Sequence, residues 1–292
     1  MTQLQAMLCG LAAFFLWVLV DVAMKITSMG QGALSPFVIV AAVGLFGAVS
    51  LVFAQYLRRD IGALKPKNWH LQSWLGICAI IINYANVIAL KHLPITMFYV
   101  VVFTIPLMIA VLSALFKHET LTLLKTACLL SGFGGTVLAI GIKGGGGDWI
   151  GYLAALISVT CFASYTILLR QIANTASAES TQLLMCLFLG FFGLAGALVE
   201  GASIPQPWFL IMMMAAGCLN TLGGIMYNVG IKNTVSTNVA QLHYTQIIFG
   251  AIFGYFLWNE IPTWNLFVGS IIIVVSGMIV AAQAKKADAA ES

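Results

Sequence analysis

Apolar residues in this chain do not alternate with polar ones. They run on in long blocks, cut by short breaks of charge, glycine or proline. Ten blocks can be drawn, over Leu4–Met24, Pro36–Tyr56, Gln72–Leu90, Pro94–Phe116, Leu121–Ile142, Trp149–Leu169, Gln182–Val199, Trp208–Ile231, Val235–Trp258 and Trp264–Gln283. A helix needs about 20 mostly apolar residues to cross the hydrocarbon core of a bilayer, and each block is close to that length. Transmembrane β-strands alternate apolar and polar positions, so a barrel is excluded. The pattern predicts an all-α polytopic membrane protein with ten transmembrane helices.

Composition agrees with the pattern. Of 292 residues, 61% are hydrophobic and 8% are charged, against about 25% charged in a soluble domain. Mean hydropathy is +1.01. So few charges cannot cover a soluble surface, which excludes a cytosolic enzyme, a nucleic-acid binder and a disordered chain. The first block has no basic flank before it and is too long for a signal peptide, so it reads as the first helix. Lys and Arg total 13, and they favour the cytoplasmic side of a bilayer. With the N-terminus inside, that side collects Arg58, Arg59, Lys65, Lys67, Lys117, Lys125, Arg170, Lys232, Lys285 and Lys286. The outer side keeps Lys25, Lys91 and Lys143. Both termini are therefore expected in the cytoplasm, and the net charge of +4 is a topology signal. The six cysteines all fall inside blocks, with no metal-ligand spacing, and no disulfide is expected.

The chain divides at Gly144–Gly147 into two sets of five blocks. Residues 1–143 form one five-helix repeat, 144–148 a flexible glycine linker, 149–283 a second repeat and 284–292 a cytoplasmic tail. Because five is odd, the second repeat must enter the membrane inverted, as in many transporters. A shift of 141 residues places Gly10 on Gly151, Lys91 on Lys232, Thr96 on Thr237, Thr104 on Thr245, Ala110 on Ala251 and Glu119 on Glu260. The two glutamates each follow a long block and fall on opposite sides of the membrane.

Ten spans in two halves, with Lys91 and Lys232 before the fourth and ninth and Glu119 and Glu260 after them, resemble the EamA-like family of the drug/metabolite transporter superfamily. The matching stretches are Leu90–Thr122 and Ile231–Thr263, and Gly269 and Gly277 are similar to its glycine pattern. The resemblance implies an inner-membrane location and a central cavity lined by the first, third, fourth, sixth, eighth and ninth spans. It adds Trp17 and Tyr165 to the candidate residues and makes amino acids a common substrate class.

An ionisable side chain inside lipid is costly and therefore functional by default. Asp21 is the one acid well inside a block, and Lys25 lies one turn on. The pair either neutralises itself with Lys25 reaching outward, or Asp21 faces a cavity where it binds an amino group or a proton. Polar and aromatic residues gather in the third, fourth, eighth and ninth spans: Asn83 and Asn86, then Tyr99 and Phe103 before Pro106, then Tyr227 and Asn228, then Asn238, Gln241 and Tyr244. On a continuous ninth helix His243 and Gln246 point elsewhere. Amides and phenols in hydrocarbon must pair with each other, with water or with a ligand, so the cluster reads as a wetted cavity. Gly250 and Gly254 form GxxxG, for packing within the monomer or across a dimer. No P-loop, HExxH or GxSxG motif occurs.

The expectation is a non-enzymatic secondary transporter working by alternating access on small polar metabolites, amino acids or related amines. A proton-coupled multidrug or cation exporter is the alternative within the superfamily, and a channel the alternative from another class. No cofactor is expected, and coupling to protons or ions stays open. The partners are a small-molecule substrate and the lipid bilayer, with no nucleic acid.

Overall fold

The computed structural model describes residues 3–29, 32–115, 123–140, 146–172, 174–202, 205–233, 243, 245–261 and 263–291. The helices, numbered along the chain, are α1 (Gln3–Ser28), α2 (Pro36–Leu57), α3 (Trp69–His92), α4 (Ile95–Val102), α5 (Ile105–Leu115) and α6 (Leu123–Ile140). They continue with α7 (Trp149–Ile172), α8 (Ala178–Val199), α9 (Pro207–Asn233), α10 (Thr245–Trp258) and α11 (Trp264–Glu291). Among the described residues there is no strand, and a short 3-10 turn at Ile61–Leu64 joins α2 to α3. Six helices (α1, α2, α3, α7, α8 and α9) are long and apolar enough to cross a membrane, and shorter apolar helices accompany them. The chain is a multi-pass helical membrane protein.

Its outer surface is that of a body in lipid. On α2, Leu45, Val49, Val52, Phe53 and Tyr56 are exposed along one stripe, while Val40, Val43, Ala48 and Leu51 face inward. A soluble protein rarely leaves so continuous an apolar face uncovered. Trp69, Trp74, Trp149, Trp208 and Trp264 are exposed near helix ends, where amphipathic rings meet the lipid headgroups.

Helices pack as α1 on α9, α2 on α8, α3 on α7, α6 on α11 and α4 on α10, with α2 also on α9 and α8 on α3. Counted as expected spans, this pattern is unchanged when the first five are exchanged with the last five: α1 on α9 becomes α7 on α3, and α2 on α9 becomes α8 on α3. In the self-paired contacts helix backbones come closest to each other. A Cβ on Gly44 would lie 2.3 Å from the Gly190 nitrogen, one on Gly193 2.3 Å from the Ala41 nitrogen, and one on Gly269 2.4 Å from the Gly135 carbonyl. Small residues let backbones approach where lipid supplies no hydrophobic drive between helices.

The structure departs from the expected spans in its details. The fourth span is not one helix: α4 stops at Val102 and α5 starts at Ile105. Pro106 explains the break, because it has no N–H for the carbonyl of Val102 four residues back and its ring crowds that carbonyl. Thr104 closes the turn instead, its amide and hydroxyl both donating to the Val101 carbonyl at 3.0 and 2.7 Å. In the ninth span, α10 begins at Thr245, the counterpart of Thr104; residues 234–242 lie outside the described part. The described end of the linker packs closely against the end of α3. Gly146 and Gly147 both take φ +87, a left-handed conformation suited to glycine, and a Cβ on Gly147 would lie 2.5 Å from the His92 carbonyl. The expected tail continues as helix to Glu291.

The glycine contacts predict a cost for any added side chain. Gly193→Val meets backbone rather than a movable side chain, and overpacking of about 1–3 kcal/mol should lower the melting temperature in detergent by about 3–10 °C. An unchanged melting temperature would contradict the α2–α8 contact.

Candidate substrate cavity

A cavity of about 100 Å³ lies between the helices. Its wall is drawn from α1 (Trp17, Asp21), α3 (Asn83, Asn86), α4 (Tyr99, Val102), α7 (Ser158, Phe162, Tyr165), α8 (Gln182) and α9 (Asn220, Gly224), with His243 and Gln246 closing it. Both halves of the chain thus contribute.

Asp21 is buried, at 8% exposure, and accepts a 2.8 Å hydrogen bond from the Tyr99 hydroxyl. Tyr99 is fully buried and is held against α10, where a Cβ on Gly250 would lie 2.1 Å from its ring. A Cβ on Gly254 would lie 2.8 Å from a Glu260 oxygen. The GxxxG pair therefore packs within this chain, against α4 and the carboxylate at its start.

Lys25 does not reach outward, and its partners are other than Asp21. It is 3% exposed, donates to the Leu90 carbonyl at 3.2 Å and to the Leu93 carbonyl, and lies 3.8 Å from Glu260 Oε1. Its ammonium also stands 5.2 Å from the centre of the Trp258 ring, within cation–π range. The Glu260 carboxylate in turn accepts from the Ile95 and Thr96 amides at 2.8 and 3.0 Å and from the Thr96 hydroxyl at 2.6 Å. It satisfies amides at the start of α4 that have no partner within the helix, where the helix dipole favours an anion. The ends of α1, α3 and α10 and the start of α4 are thereby tied into one cluster at one end of the molecule. At that same end His92 Nδ1 lies 2.8 Å from Asp148 Oδ2, and the Gly151 amide and His92 hold the Asp148 carboxyl below the usual carboxylate range.

Trp17, Asp21, Asn83, Asn86, Tyr99 and Tyr165 all line the cavity. Phe103 is buried instead with Met97, Val100, Ala139, Leu266 and Ile273, because it sits in the turn that Pro106 imposes. Tyr227 stands behind the wall, with its hydroxyl 3.0 Å from that of Thr166 and its ring 5.1 Å from that of Trp17. Asn228 donates to the Gly224 carbonyl at 2.7 Å, bonds the Tyr165 side chain and lines a separate pocket beside Thr181 and Lys232. Asn238, Gln241 and Tyr244, like Glu119, lie outside the described residues.

His243 and Gln246 line the cavity after all. A continuous ninth helix would turn them away, but His243 sits in a turn before α10, which resets the helical phase. Gln182 looked like the edge of a span. The helix starts four residues earlier, at Ala178, capped by Ser177, whose side chain accepts from the Ser180 amide. The N-cap serine with Glu179 behind it was the available signal.

The sequence profile of the EamA-like transporter family matches this chain twice, over residues 4–141 and 149–282. An uncharacterized transporter of Helicobacter pylori strain J99 is 24% identical over 185 residues, which are 60% of this chain and 61% of that protein. The uncharacterized transporter YvbV of Bacillus subtilis strain 168 is 25% identical over 266 residues, 88% of this chain and 87% of its own. A solved crystal structure superimposes with a TM-score of 0.72 over 98% of this chain and 99% of its own, at 22% identity, which shows a shared fold.

Removing Glu260 strands a buried cation and uncaps α4. Glu260→Ala should destabilise the protein by about 3 kcal/mol, the low end for breaking a buried pair because the glutamate keeps some exposure. Glu260→Gln, which keeps an acceptor, should lose less. Thermal melts in detergent that rank the alanine variant equal to the wild type would refute the cluster's role.

Proposed function

Because this chain belongs to the EamA-like transporter family, we propose that it is a secondary active transporter carrying small polar metabolites, amino acids or related amines, across the inner membrane by alternating access. The observation that carries this reading is the cavity around Asp21, walled by helices from both halves of the chain. Inverted repeats commonly place their site at such an interface, beside interrupted helices; here α4 and α5 are interrupted beside Tyr99 and Val102.

In this reading ten spans form two inverted repeats, with both termini in the cytoplasm. The exchange symmetry of the helix contacts supports it, as does the matching register of Thr104 and Thr245. The Lys25–Glu260 cluster then lies at the outer end and holds the cavity shut there. Opening requires α10 and α4 to part from α1 and α3, which trades the cluster's contacts for water. A cavity of about 100 Å³ is well below the roughly 300–1,000 Å³ of drug-sized pockets, which favours small metabolites over a multidrug exporter. The absence of a P-loop motif in the sequence favours a gradient as the driving force.

Two measurements test the reading. Proteoliposomes holding the purified protein should show saturable counterflow of at least one solute across an amino-acid and amine panel, lost in Asp21→Asn; no saturable flux for any of them counts against transport. A green fluorescent protein fused after Ser292 should fluoresce in cells, and a dark fusion that is nonetheless expressed contradicts the cytoplasmic C-terminus.

A further inference from the structure

The cavity wall holds buried acceptors that the protein leaves without donors. Three of its donors are taken by the protein. The Tyr99 hydroxyl goes to Asp21 at 2.8 Å, the Asn83 amide to the Ala79 carbonyl at 2.9 Å and the Ser158 hydroxyl to Asn86 Oδ1 at 2.5 Å. Two of its acceptors have no partner. Gln182 Oε1 and His243 Nε2 are buried with no partner, on side chains that are each 2% exposed and that line the cavity. His243 Nδ1 lies 3.1 Å from Gln246 Oε1; with that amide oxygen accepting, Nδ1 carries the proton and the Nε2 of the neutral ring is an acceptor. Val102 also lines the cavity, and its carbonyl has lost its helical donor to Pro106. The Asp21 carboxylate offers more lone pairs than Tyr99 uses.

Charge points the same way. Among the described residues lining the cavity, Asp21 is the one acid and there is no Lys or Arg. The undescribed stretch 234–242 contains neither acid nor base in its sequence. Lys25, the nearest buried cation in sequence, is committed to Glu260 and two carbonyls. A bound carboxylate would find no cation in this wall, and it would leave the two buried acceptors unpaired, which is costly. An ammonium brings three donors and one positive charge, and Trp17, Phe162 and Tyr165 line the same cavity, aromatic rings being able to attract a cation over their faces.

Resting on the transport reading above, we infer that the solute of this site is a small primary amine without a carboxylate, rather than an amino acid. The ammonium sits between Asp21, Gln182 Oε1 and His243 Nε2, and the apolar body lies against the aromatic wall.

Matched pairs that differ by the carboxylate alone decide this: ethylamine and alanine, isobutylamine and valine, phenylethylamine and phenylalanine. Binding to the full-length protein in detergent is followed by calorimetry, and counterflow in proteoliposomes. In at least one pair the amine should bind about tenfold or more tightly than its amino acid. Asp21→Asn, close in shape and still able to accept from Tyr99, should weaken that amine by roughly 30-fold or more, since one partner of a buried charge contact is lost. Equal or tighter binding of the amino acid overturns the inference and leaves transport standing. Silence of every amine also overturns it, and the wider solute panel then decides the transport reading separately. An amine whose affinity is unchanged in a normally folded Asp21→Asn variant contradicts the placement of its ammonium. If that variant does not fold, the wild-type pairs decide alone.

Discussion

Hydrocarbon offers no hydrogen bonds, so every polar group that this chain carries into the membrane must find its partner within the protein. The backbone meets that demand by coiling into helices, which is why the described residues contain no strand. Side chains meet it one by one. Gln72 donates to Ser180 and Thr181 at 2.9 and 3.0 Å, Thr166 shares a bond with Tyr227, and Lys25 with Glu260 closes an account that no single helix could settle. What the demand leaves over is informative. Of the five buried side-chain atoms without a partner among the described residues, two, on Gln182 and His243, belong to side chains that line one cavity beside the one acid in its wall, and that is where a ligand would find acceptors waiting.

The second constraint is closeness. With lipid no more polar than leucine, helices gain little by hiding apolar faces from it, and contact must come from fit. Gly44, Gly190 and Gly193 let α2 and α8 touch backbone to backbone, and Gly135 and Gly269 do so for α6 and α11. These two junctions pair each span with its own counterpart in the other half. Among the helices that line the cavity, α4 and α10 are short. That division suits a molecule in which a few elements move against a fixed frame.

Much of the fold was legible because the signal was local. Blocks of apolar residues mark helices without reference to anything distant, and Trp69, Trp149 and Trp264 fell at helix ends as expected. Pro106 stood in view inside the fourth block, but the break it causes between Val102 and Ile105 needed the structure. Reading failed where one residue's role depended on a remote one. The spacing of Asp21 and Lys25 suggested a pair, yet each found a better partner on another helix, Tyr99 for the acid and Glu260 for the base. His243 was assigned the wrong face because a wheel drawn over Val235–Trp258 assumed an unbroken helix. Gln182 was hidden by a helix start set four residues too late.

The central claim is that the cavity around Asp21 is a water-reachable transport site opened alternately to the two sides. The most direct measurement places a single cysteine at Asn83, in a version lacking the six native cysteines. It then applies a membrane-impermeant maleimide from the outside of intact cells and, separately, to inverted vesicles. Labelling from both sides, with the outer reaction faster once Glu260→Gln loosens the cluster, is the predicted result. No labelling from either side, with the protein folded and counterflow intact, would contradict it.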